Sequence, residues 1–130
     1  MASPDRPLSP HLQVYRWQWT MSLSILHRAT GIALSLGALG LVWWLLALAG
    51  GEDGYARFME CARSPLGLVV AAGFGACLVY HFWNGIRHLL WDTGWGLDIP
   101  TAFRTGMAVI VLTVLGTGLF VAALLMKGAA

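Results

Sequence analysis

The stretch that decides the fold is residues 29–51, ATGIALSLGALGLVWWLLALAGG, in which only Thr30 and Ser35 are polar. A membrane-spanning helix needs about 20 apolar residues to cross a hydrocarbon core of roughly 30 Å. Residues 64–80 form a second apolar run, which extends to 91 if a few polar residues are tolerated, and residues 106–126 form a third. Because open-edged strands are excluded in lipid, these runs predict three transmembrane helices.

The composition supports an all-α integral membrane protein. Of the 130 residues, 58% are hydrophobic and 11% are charged, whereas soluble domains carry about 25% charged residues. A chain of this length forms one small domain, which lacks the interior volume to bury so much apolar surface. The net charge of +2 comes from scattered basic residues, so a nucleic-acid partner is not expected. Cys61 and Cys77 form no metal-binding or disulfide pattern.

The flanking basic residues predict the topology, because Lys and Arg favour the cytoplasmic side. The N-terminal segment and the second loop hold most of them: Arg6, Arg16, Arg28, Arg87 and Arg104. The first loop mixes basic and acidic residues, and the C-terminal end has Lys127 alone. We therefore expect a cytoplasmic N-terminus, spans at about 22–50, 65–91 and 104–126, and a cytoplasmic or interfacial segment at 1–20. The whole chain, 1–130, is expected to form a single membrane-anchor domain.

The N-terminal residues also bear on location. Residues 1–12 contain Asp5 and three prolines but no apolar core, which is not typical of a secretory signal. Read as the start of the translated chain, they are also too short and too poor in Arg for a mitochondrial transit peptide. These features predict a bacterial cytoplasmic (inner) membrane rather than the mitochondrial inner membrane.

The second apolar run carries a stripe of polar residues. His81, Asn84, Gly85, His88 and Asp92 follow one another at i, i+3, i+4, i+7 and i+11, which places them on one face of a helix. Polar groups inside a span are costly in contact with lipid. This face is therefore expected to point to the bundle interior or to a partner.

Depth distinguishes the two histidines of this stripe. If the helix ends near Trp91, His81 lies roughly 15 Å from that end and His88 roughly 10 Å nearer to it. A neutral imidazole at mid-membrane depth, with Gly85 one turn away leaving room for a macrocycle, is typical of a haem ligand. A histidine that is hydrogen-bonded to a neighbouring helix fits the spacing equally well.

One helix cannot offer both histidines to a single iron, since they share a face at different depths. His27, on the first helix, is expected to match the depth of His88 better than that of His81. A six-coordinate iron at His81 would therefore take its second ligand from another chain.

Ser24 and Arg28 lie one turn apart on the first helix, near the predicted cytoplasmic surface. Position alone favours an arginine that snorkels to the interface and a serine near a helix start. The alternative is a polar pocket, in which the hydroxyl and the guanidinium hydrogen-bond a quinone carbonyl and stabilise charge that develops on it.

Arg87 and Asp92, at the end of the second helix, have two interpretations each, and His88 has one. Arg87 and His88 could bind haem propionates, or Arg87 could end the helix at the lipid phosphates. Asp92 could orient a nearby His or Arg, or could be a plain interfacial charge.

Two motifs carry a family resemblance. The first is RPLSPHL at residues 6–12 followed by SILHRATG at residues 24–31, and the second is HFWNGIRHLLWDTG at residues 81–94. In order, length and membrane context they resemble the family of succinate dehydrogenase cytochrome b subunits, membrane anchors of respiratory complex II. With the three spans, the resemblance covers nearly the whole chain.

The resemblance implies roles for individual residues. It makes His81 an axial ligand of haem b, with the other axial histidine supplied by a second, smaller membrane anchor in a heterodimeric helical bundle. It assigns Ser24 and Arg28 to the site of ubiquinone or another quinone, and places His27 and Asp92 near the quinone and the haem. It also implies a flavoprotein that oxidises succinate and an iron–sulfur subunit that passes electrons on.

By this resemblance the chain is a subunit of an enzyme and has no dehydrogenase chemistry of its own. Two rivals stay open: a haem b anchor of a fumarate reductase, and a haem-free structural anchor.

Overall fold

The structure, a computed structural model, describes residues 16–128, and this part of the chain contains four helices and no strand. The helices are α1 (Trp19–Ala49), α2 (Glu52–Arg63), α3 (Pro65–Asp92) and α4 (Ile99–Gly128). By length and composition, α1, α3 and the Ile99–Met126 part of α4 can each cross a membrane. The prediction of an all-helical membrane fold with three spans is confirmed.

α1 and α4 begin earlier than the apolar runs suggest, whereas α3 begins at Pro65 as predicted. α1 starts at Trp19 rather than at about 22, and α4 starts at Ile99 rather than at about 104. The start of α4 is set by Asp98, whose carboxylate accepts a hydrogen bond of 3.0 Å from the backbone N–H of Thr101. That hydrogen bond lowers the pKa of Asp98. α4 thus starts at a side-chain cap ahead of its apolar run, whereas Gln18, the N-cap residue of α1, makes no side-chain capping hydrogen bond. Of the predicted segment 1–20, residues 1–15 lie outside the described residues.

The first loop contains a helix that the apolar runs did not predict. α2 has acidic residues in its first turn and Arg63 in its last, the distribution that complements a helix dipole. Ser64 separates it from α3, and its hydroxyl accepts a hydrogen bond of 3.0 Å from the N–H of Gly67. Phe58 of α2 packs edge-on against Trp43 of α1, with ring centroids 5.0 Å apart. This contact holds the amphipathic helix against the end of the first span.

α3 is the central helix, because it packs along both α1 and α4 while those two touch each other less. The buried core takes one residue from each span: Leu23, Tyr80 and Val109. The Tyr80 hydroxyl donates a hydrogen bond of 2.7 Å to the Leu23 carbonyl. Most other large apolar side chains of the spans are exposed on the isolated chain. That surface suits lipid or other membrane helices.

Candidate functional site

Three histidines come together where α1 crosses α3. The rings of His27 and His81 are stacked, with centroids 4.0 Å apart and planes 13° apart. The ring of His88 is tilted by 35° to that of His27, at a centroid distance of 5.0 Å. Of the stripe predicted on α3, His81, Gly85 and His88 therefore face α1, with His27 between the two histidines. Asn84 instead pairs with Arg87, and Asp92 is exposed.

The ring of His81 is held through one of its nitrogens. Its Nδ1 atom lies 3.1 Å from the backbone carbonyl oxygen of His27 and 3.3 Å from the hydroxyl of Thr30. A carbonyl oxygen only accepts hydrogen bonds, so Nδ1 carries the proton and Nε2 of the neutral ring keeps a free lone pair. This is the arrangement in which histidines bind metals, with the other ring N–H donated to a carbonyl.

The ring of His27 is closer to that of His81, at 4.0 Å, than to that of His88, at 5.0 Å. Its Nδ1 atom is buried and has no hydrogen-bond partner among the described residues. Because a buried polar atom is costly without a partner, this nitrogen indicates a group that binds beside the histidines.

The residues of the predicted quinone pocket are neighbours of His27 on α1: Ser24 comes three residues before it and Arg28 directly after it. Ser24 is half-buried and Arg28 is exposed. A hydroxyl and an accessible guanidinium therefore lie on the same helix as His27 and close to it along the chain.

Arg87 points into the protein, between α3 and α4. It is 3% exposed, and its Nε and one Nη donate hydrogen bonds to the Thr105 hydroxyl at 3.1 Å and the Ala102 carbonyl at 2.9 Å. The other Nη lies 3.5 Å from the Asn84 amide oxygen, and the guanidinium carbon lies 3.9 Å from the ring centre of Trp91. The guanidinium is thus satisfied within the chain, and it does not reach the lipid surface as one of the two readings expected.

His88 and Asp92 occupy the end of α3. The His88 ring meets Trp91 edge-on at 5.0 Å and is half-buried. Asp92 is the last residue of α3 and is exposed. Asp92 is therefore available to a partner at this surface.

Several polar residues that build this region are not among the predicted site residues. Thr30, a polar interruption of the first apolar run, contacts His81. Tyr80 and Thr105 each tie α3 to a neighbouring helix. The available signal was physical: a tyrosine or threonine inside an apolar span needs a hydrogen-bond partner, and a buried arginine needs several.

One cavity lies where the start of α1 meets the end of α3 and the start of α4. It measures about 560 Å³ and is lined by Gln18, Trp19, Thr20, Trp91, Leu97, Ile99, Ala102 and Phe103. Ser24 and Arg28 do not line it, so this cavity is not the predicted quinone pocket.

The sequence matches the protein family described as "Succinate dehydrogenase/Fumarate reductase transmembrane subunit" over residues 2–120. It is 44% identical over 115 residues to the human mitochondrial succinate dehydrogenase cytochrome b560 subunit, covering 87% of this chain and 68% of the human one. The mouse counterpart is 46% identical over 118 residues, with 89% and 70% covered. The succinate dehydrogenase cytochrome b556 subunit of Rickettsia prowazekii is 44% identical over 112 residues, with 86% and 87% covered. The resemblance inferred from the motifs is confirmed, and the chain belongs to the family of succinate dehydrogenase/fumarate reductase transmembrane subunits.

Proposed function

We propose that this chain is the cytochrome b membrane subunit of a succinate:quinone oxidoreductase, where it binds haem b and forms part of the quinone site. Relatives from mammals and from Rickettsia that are similar over most of the chain carry the name of a succinate dehydrogenase cytochrome b subunit. These names favour succinate oxidation over fumarate reduction. The chain itself contributes to electron transfer and anchoring, and other subunits carry out the dehydrogenation.

The observation that carries the haem proposal is the hydrogen bonding of the His81 ring. Its Nδ1–H is directed at the His27 carbonyl, 3.1 Å away, so Nε2 is available to an iron ion. The unpartnered Nδ1 of His27 adds a second polar atom that suits a polar group at the edge of a macrocycle. When bound, a b-type haem supplies a one-electron carrier inside the membrane.

The second axial ligand is proposed to be a histidine of the smaller anchor subunit. His27 is packed flat on His81, so these two rings cannot bind opposite faces of one haem. His88, half-buried beside His27, is the proposed partner for a propionate. Arg87 enters the proposal as the residue that joins α3 to α4, since its donors are satisfied within the chain.

Ser24 and Arg28 are the proposed quinone-binding residues of this chain. The hydroxyl and the guanidinium can both donate hydrogen bonds to a quinone carbonyl, and the positive charge stabilises negative charge that develops during reduction. Their exposure on one side of α1 fits a pocket completed by the iron–sulfur subunit and the second anchor. Asp92, exposed at the same end, is proposed to contact those subunits.

The proposed location is the bacterial cytoplasmic membrane, with the N-terminus on the cytoplasmic side. The proposed partners are the flavoprotein, the iron–sulfur subunit, the second anchor and membrane lipid.

The test is a purification of the intact complex through this chain, with and without His81→Ala. We expect a flavoprotein and an iron–sulfur protein to co-purify, and a reduced-minus-oxidised spectrum to show a b-type band. His81→Ala removes the ligand, so the band should fall below about a tenth of its wild-type height relative to bound flavin. Phe82→Ala is the matched control, because this neighbour of His81 is 57% exposed and its ring packs edge-on against Trp83.

Two outcomes contradict the proposal in different ways. If the wild-type complex lacks a b-type band, this chain is a haem-free anchor and the proposed electron-carrying role is wrong. If the His81→Ala complex keeps a normal band, the haem function stands, but the iron ligand is another residue.

A further inference from the structure

The hydroxyl of Thr30 lies against the nitrogen of His81 that faces away from the proposed iron site. Its Oγ1 is 3.3 Å from His81 Nδ1, across the contact between α1 and α3. Thr30 is half-buried. The same Nδ1 lies 3.1 Å from the His27 carbonyl oxygen, and the two oxygens therefore share one ring N–H.

The direction of the hydrogen bond at Thr30 follows from its other contacts. The hydroxyl lies 2.8 Å from the Leu26 carbonyl and 2.9 Å from the His27 carbonyl, and it must donate its single hydrogen to one of these, since carbonyls only accept. A threonine inside a membrane helix commonly donates in this way to the preceding turn. Its lone pairs are then free, and the one that faces α3 accepts from His81 Nδ1–H.

The neighbouring residues restrict the ring on its other sides. A Cβ atom at Gly31 would come within 3.1 Å of His81 Cε1, so the backbone of α1 passes close beneath the imidazole. The His27 ring covers one face of it at 4.0 Å. The imidazole of His81 thus packs against three residues of α1: Thr30, Gly31 and His27.

We propose that Thr30 is a positioning residue for His81, which fixes the plane of its ring and sets how strongly it donates electrons to the haem iron. This inference rests on the proposed function. A second acceptor on Nδ1–H increases the negative character of the ring, which favours the oxidised iron and lowers the midpoint potential. Removal of that acceptor should shift the potential upward.

The test compares Thr30→Val with Thr30→Ser in the complete four-subunit complex. Valine keeps the shape of threonine and removes the hydroxyl, whereas serine keeps the hydroxyl and removes the methyl group. We expect Thr30→Val to keep its haem but to show an upward shift in midpoint potential and altered g values in the low-temperature electron paramagnetic resonance spectrum. Thr30→Ser should match the wild type in both.

Ser35→Ala is the matched control on the same helix. Its hydroxyl also bonds the preceding turn, to the Gly31 carbonyl at 3.0 Å, but it is exposed and away from His81. This variant loses an equivalent hydroxyl and should show no shift. Thr30→Cys, which keeps the size with a weaker acceptor, should shift the potential in the same direction as valine and by less, and it replaces valine if that variant does not assemble.

The proposal fails if Thr30→Val, or Thr30→Cys in its place, retains the wild-type potential and spectrum, or if Thr30→Ser shifts as much as the variant without the hydroxyl. Such a result leaves the proposed function intact, because the haem band and its dependence on His81 are measured separately. A wild-type complex without haem, by contrast, contradicts the proposed function itself.

Discussion

At the scale of single residues, the polar side chains inside the spans differ in whether they are satisfied. His27 Nδ1, Asn84 Nδ2 and the Thr117 hydroxyl are buried without a hydrogen-bond partner among the described residues. Arg87 and Asn84 are 3% and 0% exposed and meet between α3 and α4, while Ser24 and Arg28 stay accessible on α1. A buried guanidinium with two good hydrogen bonds is satisfied and needs no ligand. The accessible hydroxyl of Ser24 and guanidinium of Arg28, beside the group of histidines, are free to bind a ligand.

Ser24→Ala and Arg28→Leu should therefore slow quinone reduction by the complex. Loss of one hydrogen bond to a group that carries developing charge costs about 1.5–3 kcal/mol, roughly a ten- to a hundredfold change in rate. Succinate oxidation with an artificial dye that bypasses the quinone should stay near the wild-type rate, and the two activities are measured on the same preparation. Ser35→Ala, an exposed serine deeper in α1, serves as the control. If both activities fall together, these residues serve docking rather than quinone binding.

At the scale of helices, close approach of the backbones decides the packing. A Cβ atom at Gly116 of α4 would come within 2.8 Å of Val79 Cγ1 on α3, whereas one at Gly118 would meet nothing within 4 Å. Valine is stiff about χ1 and cannot move aside easily. Gly116 is thus a site where only hydrogen fits, and Gly118 faces open space.

Gly116→Ala should destabilise the contact between α3 and α4 by about 1–3 kcal/mol relative to Gly118→Ala, the usual cost of overpacking. Gly118→Ala should be neutral or slightly stabilising, since alanine favours the helix more than glycine does. Thermal unfolding of the detergent-solubilised complex measures both. Equal melting temperatures for the two variants would contradict the packing that the structure describes.

At the scale of the whole molecule, the topology places α2 and the loop around it opposite the predicted cytoplasmic side. Cys61 of α2 is exposed and Cys77 of α3 is partly buried within a span. The orientation comes from the distribution of Lys and Arg alone. Two cysteines at such different depths provide a direct test of it.

A membrane-impermeant maleimide should label this chain in intact spheroplasts, and Cys61→Ser should abolish that label. Thr93→Cys in the Cys61→Ser background lies at the opposite end of α3, at its C-cap, and should be labelled only after the membrane is permeabilised. Labelling is read by mass spectrometry of the purified chain. The reverse pattern would invert the predicted topology.

The arrangement of the whole molecule also accounts for the large apolar surface that is exposed on the spans. Most large apolar side chains of the spans are exposed on the isolated chain. We infer that a second anchor covers part of this surface, in keeping with the heterodimeric bundle that the family resemblance implies. In the proposed function, this chain contributes one half of the haem site through His81.

The sequence by itself determined the class of the protein, the three spans and the face of α3 that carries the polar stripe. It could do so because hydrocarbon thickness and helical periodicity are local constraints. It did not reveal α2, whose signals at Glu52, Asp53 and Arg63 are those of a polar helix rather than a span. Only the tertiary structure decided that Arg87 is satisfied inside the chain, that His27 stacks on His81, and that Thr30 contacts His81 Nδ1. These three features depend on how α1 and α4 pack against α3. That packing follows from the residue at which each helix starts and from how closely two helix backbones approach each other.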